Sequence, residues 1–205
     1  MTTDASMSKT FSYFLQHQGL FCSRSRIIKY MLKLSQNITD IPIMSLRTGH
    51  KVGTAKRPII NPGKLRVEGW YCHDIFSGQQ LVLPFSEVRE LIPQGLAVND
   101  HDAMTEPEDI IRLQEIIDID FQIIGKQVVT NHKRKLGKAI DYAVDPDTMK
   151  IEKIYISRPI YKSLTDGQLV VDRSQIIETT NKKIIIRDSD IKIESRNISP
   201  IPASA

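Results

Sequence analysis

Apolar and polar residues alternate along most of the chain after residue 30, which is the pattern of half-buried β-strands. The alternation is clearest in the second half of the chain, where it predicts six short strands: 127–129, 138–144, 150–156, 168–171, 175–177 and 183–186. Turn-forming residues separate them, and Asp145-Pro146-Asp147 is typical of a type I turn. Short strands at this spacing predict a small antiparallel barrel.

The first half of the chain carries a similar pattern, with predicted strands at 50–54, 57–60, 65–72, 80–83, 87–91 and 96–99. Four landmarks recur in the same order in both halves. They pair Gly49-His50-Lys51-Val52 with Gly125-Lys126-Gln127-Val128, Asn61-Pro62-Gly63-Lys64-Leu65 with Asp145-Pro146-Asp147-Thr148-Met149, Ser86-Glu87-Val88 with Ser174-Gln175-Ile176, and Val98-Asn99-Asp100-His101-Asp102 with Ile186-Arg187-Asp188-Ser189-Asp190. The chain is therefore predicted to contain a duplicated unit.

A helix is predicted between the two copies. Thr105 and Glu108 have the spacing of a capping box, and Pro107 falls in the first turn. An apolar stripe at helical spacing follows, formed by Ile110, Ile111, Leu113, Ile116 and Ile117.

The predicted organisation is mainly β, with two tandem small antiparallel barrels at 31–104 and 119–193 joined by a short linker helix at 105–118. Residues 1–30 show no strand pattern, so we interpret them as a flexible arm or as a start assigned too far upstream. Residues 194–205 are predicted to be a disordered tail because they offer little apolar surface.

Composition excludes several classes of protein. The chain is 40% hydrophobic and 25% charged, which is ordinary for a soluble globular protein, and it has no apolar run that would span a bilayer. Two cysteines, Cys22 and Cys72, without a C-x-x-C spacing favour a reducing cytoplasm over an oxidised, disulfide-built class. The formal charge of +4 is compatible with RNA or anionic surfaces, but part of the excess lies before residue 31.

No motif for catalysis is present, and Ser86 and Ser174 lack a histidine partner that recurs in both copies. Asp100 and Asp102, like Asp188 and Asp190, are interpreted as turn or cap residues rather than metal ligands. Cys72, His73 and Asp74 are adjacent on a strand and point to alternate faces, so they are poorly placed to share one ion. We expect no enzyme activity, no cofactor, no metal and no small-molecule ligand.

Basic residues cluster at one predicted hairpin. Its loop carries His132, Lys133, Arg134 and Lys135, and the flanking strands carry Lys126 and Lys138. Lys56 and Arg57 are the predicted counterpart in the first copy. This group is a hypothetical partner-binding surface, the alternative being a solvated hairpin tip without a partner. Trp70 is a second hypothetical anchor for a partner, the alternative being a place in the core.

The strand and turn pattern resembles the PRC-barrel family, which includes domains of the photosynthetic reaction centre H subunit and of the ribosome maturation factor RimM. The resemblance rests on Ile124-Gly125-Lys126-Gln127-Val128, Leu136-Gly137-Lys138-Ala139-Ile140-Asp141 and Val144-Asp145-Pro146-Asp147-Thr148-Met149-Lys150-Ile151. In this comparison Gly125, Gly137, Asp145 and Pro146 are structural turn residues, as are Asn61, Pro62 and Gly63 in the first copy. The first copy departs from the family by lacking the inner Gly-x-x-Gly hairpin.

This resemblance implies binding rather than chemistry, so we expect a non-catalytic adaptor that binds another protein in a bacterial cytoplasm. Two alternatives stay open. One is an RNA- or ribosome-associated assembly factor, whose binding would weaken steeply with salt. The other is a peripheral membrane-associated scaffold, whose binding to anionic vesicles would depend on residues 1–30.

Overall fold

The protein is described from a computed structural model covering residues 31–157, 168–188 and 193–194. The predicted arm at 1–30 and the predicted tail from residue 195 onward lie outside the described residues, as does Asp190. Lys33 and the described residues after it belong to one compact unit. This unit is mainly β and is built on two curled sheets.

The first sheet, sheet 1, has the strand order β5-β4-β3-β2-β7-β6. Strand β1 precedes it in the chain and belongs to the other sheet. The strands are β1 (Lys33–Leu34), β2 (Ile41–Ser45), β3 (Lys51–Asn61), β4 (Arg66–Asp74), β5 (Gln80–Pro84), β6 (Val88–Ile92) and β7 (Gly95–Val98).

The second sheet, sheet 2, has the order β12-β13-β8-β9-β10-β11-β14, and β1 pairs with β9 beside this path. The strands are β8 (Gln127–Thr130), β9 (Lys135–Val144), β10 (Ile151–Ser157), β11 (Gln168–Asp172), β12 (Ile176–Thr179), β13 (Lys183–Ile186) and β14 (Ile193–Glu194).

Both sheets follow one topology. Six strands of sheet 2, read as β11-β10-β9-β8-β13-β12, repeat the order of sheet 1, and each sheet contains one parallel pair, β2 with β7 and β8 with β13. The turn after β3 and the turn after β9 both end in a left-handed residue, Leu65 at φ 45° and Met149 at φ 55°. A short 3-10 helix follows the fourth strand of each copy, at Phe85–Glu87 after β5 and at Arg173–Gln175 after β11. The duplication is therefore visible in the fold.

One part of the predicted alignment between the copies is wrong. Lys51–Asn61 forms one strand rather than two, because a bulge between Ala55 and Arg57 interrupts the alternation without ending the pairing with β4. The first strand of the first copy is β2, Ile41–Ser45, which contains Pro42. Consequently the first copy retains its inner hairpin, which connects β2 to β3.

The two halves contact each other through the turns that join β3 to β4 and β9 to β10. The Val67 amide donates to the Met149 carbonyl and the Ile151 amide donates to the Leu65 carbonyl, each over 2.9 Å. These are equivalent positions of the two copies, so the contact is reciprocal. Side chains of both sheets also belong to a single apolar core, in which Trp70 and Ile154 are both essentially inaccessible to solvent.

The α-helix between the copies, α1 (Ile111–Ile119), packs on the outer side of sheet 1. Its buried residue Leu113 joins Ile59 and Val82 in a second, smaller apolar cluster. Ile111, which was predicted to be part of the apolar stripe, is 84% exposed. At the other end of the helix, Arg57 pairs with Asp120 at 2.6 Å.

The predicted capping box does not form. Thr105 lies outside the helix, where its backbone pairs with Val82 in an isolated antiparallel bridge. Pro107–Asp109 forms a 3-10 turn, and Ile110 precedes α1 without a side-chain cap. Thr105, the predicted cap residue, instead pairs with Val82 of β5.

No helix in the described part of the chain is both long enough and apolar enough to cross a membrane.

Candidate functional site

The basic hairpin is built on Thr130, the buried last residue of β8. Its amide donates to the Arg134 carbonyl over 2.9 Å, and its hydroxyl accepts from the Arg134 amide over 3.2 Å. Lys133 adopts a left-handed conformation with φ 62°. These contacts make a tight turn, and the four residues from His132 to Lys135 are all exposed. We call His132, Lys133, Arg134 and Lys135 the basic tip.

Arg134 is the member of the basic tip that has an acidic partner. Its Nη2 lies 2.5 Å from an Oδ1 of Asp188, just after β13. The Asn131 amide next to it donates to the Ile186 carbonyl over 2.9 Å. Among the described residues, no acidic side chain forms an ion pair with Lys133 or Lys135. The tip therefore presents two free lysines on a hairpin that Arg134 fastens to the neighbouring strand.

The flanking lysines lie elsewhere. Lys126 is at the opposite end of β8, where its Nζ donates to the Asn181 carbonyl over 2.5 Å and lies 4.5 Å from the centre of the Phe121 ring. Burial against these groups lowers the pKa of Lys126. Lys138 is exposed and pairs with Gln127 at the same end. Since β8 has four residues, roughly 10 Å separates these two lysines from the tip.

Trp70 lies inside the core rather than on a surface. It is fully buried, and its indole nitrogen donates to the Ile38 carbonyl over 2.8 Å. The ring also packs against Phe85 with 6.4 Å between centroids. The folded protein therefore has no Trp70 ring to offer a partner.

The first copy has a hairpin equivalent to the basic hairpin. It lies between β2 and β3 and not at Lys56 and Arg57, where the sequence pattern predicts it. The Leu46 amide donates to the Val98 carbonyl, as Asn131 does to Ile186 in the second copy. Arg47 forms an ion pair with Asp100, as Arg134 does with Asp188. Hydrogen bonding by the His101 amide, aided by Arg47, lowers the pKa of Asp100 despite partial desolvation. The counterpart of the basic tip is thus this hairpin rather than Lys56 and Arg57.

The turn residues predicted from sequence have distinct roles. The Asn61 and Asp145 side chains accept hydrogen bonds from the amides of Lys64 and Asp147, at 3.0 and 2.8 Å. The Pro62 carbonyl accepts the Thr179 hydroxyl over 2.6 Å, which joins the two halves. Gly125 and Gly137 have φ values of 86° and 156°. Gly63 and Pro146 complete the two turns.

Asp74, which the sequence pattern alone does not single out from Cys72 and His73, is a buried carboxylate. It accepts from the Ser77 hydroxyl over 2.5 Å and from the amides of Phe76 and Ser77, and it lies 2.9 Å from Nε2 of His101. Burial alone would raise the pKa of Asp74, but these hydrogen bonds outweigh it and hold the pKa well below its usual range. The Ser77 hydroxyl thus donates to the carboxylate and not to the imidazole, and the lowered pKa of Asp74 makes that carboxylate a weak proton acceptor.

The neighbours of Asp74 on β4 do not share its environment. Cys72 is buried, and desolvation raises the pKa of its thiol to about 12. His73 between them is exposed. Within residues 31–157 and 168–188, no three His, Cys, Asp or Glu side chains converge as a metal site.

In comparisons with known proteins, no protein-family model and no curated protein matches the chain.

Proposed function

We propose that this protein is a non-catalytic binding module of the bacterial cytoplasm, related to tandem PRC-barrel proteins, which docks an acidic protein surface through the basic tip. The observation that carries the proposal is the pair of exposed lysines, Lys133 and Lys135, which have no acidic partner among the described residues and lie on a hairpin held by the Arg134 to Asp188 ion pair. A fixed cluster of like charge is suited to steer and orient an oppositely charged partner.

An acidic protein fits this tip better than RNA does. Single-stranded RNA is held by aromatic side chains on which bases stack, and the segment from Asn131 to Lys138 contains no Phe, Tyr or Trp. The resemblance to PRC-barrel domains supports the same conclusion, since that family implies protein docking.

The test is a double charge reversal, Lys133→Glu with Lys135→Glu, which leaves Arg134 and its ion pair intact. The matched control reverses Lys182 and Lys183, two exposed lysines at the opposite end of sheet 2. Each purified variant is used for capture from a bacterial lysate treated with RNase, and the captured proteins are identified by mass spectrometry.

We expect a discrete acidic protein to be captured by the wild type and by the Lys182/Lys183 control, and to be lost with the Lys133/Lys135 variant. Capture that disappears on RNase treatment would show that RNA is the partner. If instead no protein is captured and the purified chain, treated with RNase, floats with anionic vesicles in a density gradient, the membrane scaffold would be supported. Equal capture by both variants would remove the basic tip from the binding surface.

A further inference from the structure

A cleft of about 370 Å³ lies between the start of α1 and sheet 1, in the other half of the protein from the basic tip. Three cationic side chains line it: Lys64, Arg66 and Arg112. One acidic side chain, Glu68, lines it as well. The volume falls in the range of small-molecule sites, and the lining has a net positive charge.

Two buried polar atoms in this lining have no hydrogen-bond partner within the described part of the chain. They are Nε of Arg66 and Oε1 of Glu68. The Arg66 guanidinium is held 5.2 Å from the centre of the Phe85 ring. The nearest cation to Glu68 Oε1 is Lys64 Nζ at 3.7 Å, beyond hydrogen-bonding distance. Buried polar atoms are normally paired, so this unpaired donor and this unpaired acceptor favour a ligand that supplies both complements. Both atoms are closed to water while their side chains are only partly buried, so the two side chains must turn toward the cleft to meet that ligand.

Another side of the cleft is formed by α1 and by Ile110, the residue that precedes it. Ile110, Leu113 and Ile116 provide apolar surface there. Ile110 gives the helix no side-chain cap. The Leu113 amide donates to the Ile110 carbonyl over 2.9 Å, which leaves the amides of Ile111 and Arg112 without a partner among the described residues. The partial positive charge of this terminus adds to that of Arg112. This side of the cleft therefore combines an apolar surface with a positive electrostatic potential that favours anions.

We propose that the cleft binds a small organic acid that also carries a hydrogen-bond donor and a short aliphatic group. Once the Arg66 and Glu68 side chains turn toward the cleft, the ligand carboxylate accepts from Arg66 Nε and its donor reaches Glu68 Oε1. The carboxylate also lies near Lys64 and Arg112, and the aliphatic part packs on α1. An aliphatic amino acid and the matching hydroxy acid have this chemistry. The proposal does not depend on the function proposed for the basic tip.

The ligand chemistry is tested by isothermal titration calorimetry of the full chain with four probes: leucine, its hydroxy acid analogue, isocaproate and isoamylamine. Leucine and the hydroxy acid are expected to bind. Isocaproate, which lacks the donor, should bind about tenfold more weakly because Glu68 Oε1 stays unpaired. Isoamylamine, which lacks the anion, should not bind. Failure of both leucine and the hydroxy acid to bind, or equal binding of all four probes, would overturn the proposal.

Variants locate the site. Arg112→Gln alters an exposed residue of α1 and should weaken leucine binding about tenfold, whereas Arg89→Gln, an exposed arginine on β6, should leave it unchanged. Glu68→Met should abolish the preference for leucine over isocaproate. Far-ultraviolet circular dichroism confirms that each variant is folded. Unchanged leucine binding in Arg112→Gln together with an unchanged preference in Glu68→Met would place binding elsewhere and refute the assignment.

Discussion

Arg173, in the second half of the chain, donates a hydrogen bond from Nη1 to the carbonyl oxygen of Leu65, in the first half, over 2.8 Å. Its Nη2 donates to the Lys64 carbonyl over 2.5 Å, and Nη1 also lies 3.3 Å from the Ile151 carbonyl. The guanidinium thus joins the β3–β4 turn to β10 at the place where the two copies pair. The equivalent position in the first copy is Phe85, so the two copies have diverged at their shared contact.

Replacing Arg173 with Met should destabilise the protein by about 1–3 kcal/mol, because the Leu65 and Ile151 carbonyls lose a charged donor in a partly buried setting. The free energy of unfolding is measured by urea denaturation. The control is Arg187→Met. Arg187 is exposed, its backbone amide donates to the Gln175 carbonyl over 2.8 Å, and its side chain forms no hydrogen bond or ion pair with the described residues. Equal urea midpoints for the two variants would contradict a joining role for Arg173.

Trp70→Phe should cost about 1–3 kcal/mol, because the Ile38 carbonyl loses its donor and the smaller ring leaves a cavity. Trp70 is the sole tryptophan of the chain, so wild-type fluorescence should be blue-shifted and should move to longer wavelength on unfolding. Stability is followed by circular dichroism. Tyr71→Phe, on the half-buried neighbour, should change stability by less than about 0.5 kcal/mol. A Trp70→Phe variant as stable as Tyr71→Phe would argue against the buried hydrogen bond.

The carboxylate of Asp74 should make stability depend on acid. Its pKa in the folded protein is lowered by hydrogen bonds from Ser77, Phe76 and His101, which together exceed the opposing effect of burial. A group with a depressed folded pKa stabilises the fold above its unfolded pKa, about 3.9 for aspartate, and this contribution is lost as pH falls further. Unfolding free energies measured between about pH 6 and pH 2 should therefore decline at the acid end.

Asp74→Asn should reduce stability near neutral pH and flatten the acid decline. Asp102→Asn, on the exposed side of the turn that carries His101, is the matched control and should keep the wild-type profile. If Asp74→Asn declined in acid as steeply as the control, the acid sensitivity would have to come from other carboxylates.

Gly137 and Gly125 should respond differently to alanine. Both have positive φ, but a Cβ at Gly137 would overlap the Ser157 carbonyl on β10, whereas a Cβ at Gly125 meets nothing within 4 Å. Gly125→Ala should therefore cost only backbone strain, about 1 kcal/mol. Gly137→Ala should cost several times as much, or prevent folding, because β9 must separate from β10. Thermal unfolding of the two variants compares them, and similar midpoints would contradict the close approach.

Much of the fold could be predicted from local patterns. The turns at Asn61 and Asp145 carry side chains that cap their own backbone, and the duplicated order of elements follows from such landmarks. Strand β2 could not be found in this way, because Pro42 cannot donate to a strand ladder and therefore argues against a strand at this position. Its pairing with β3 and β7 comes from distant parts of the chain.

The candidate site residues also differ in whether local sequence or long-range packing determines their exposure. The exposure of Lys133 and Lys135 follows from a polar hairpin loop, which is a local property. The burial of Trp70 does not, because bulges between β3 and β4 shift the register and a shift of one residue exchanges the two faces of a strand. The diversion of Lys126 to Asn181 likewise depends on a turn 55 residues away.

The sequence by itself determined a mainly β chain with a repeated order of strands and turns, because strand periodicity and turn chemistry act over a few residues. Only the tertiary structure decided that both copies share one core, that Arg173 joins them and that Lys64, Arg66 and Arg112 meet at one cleft. These relationships depend on pairings between segments tens of residues apart, whose register is set by packing of the whole core rather than by local preference.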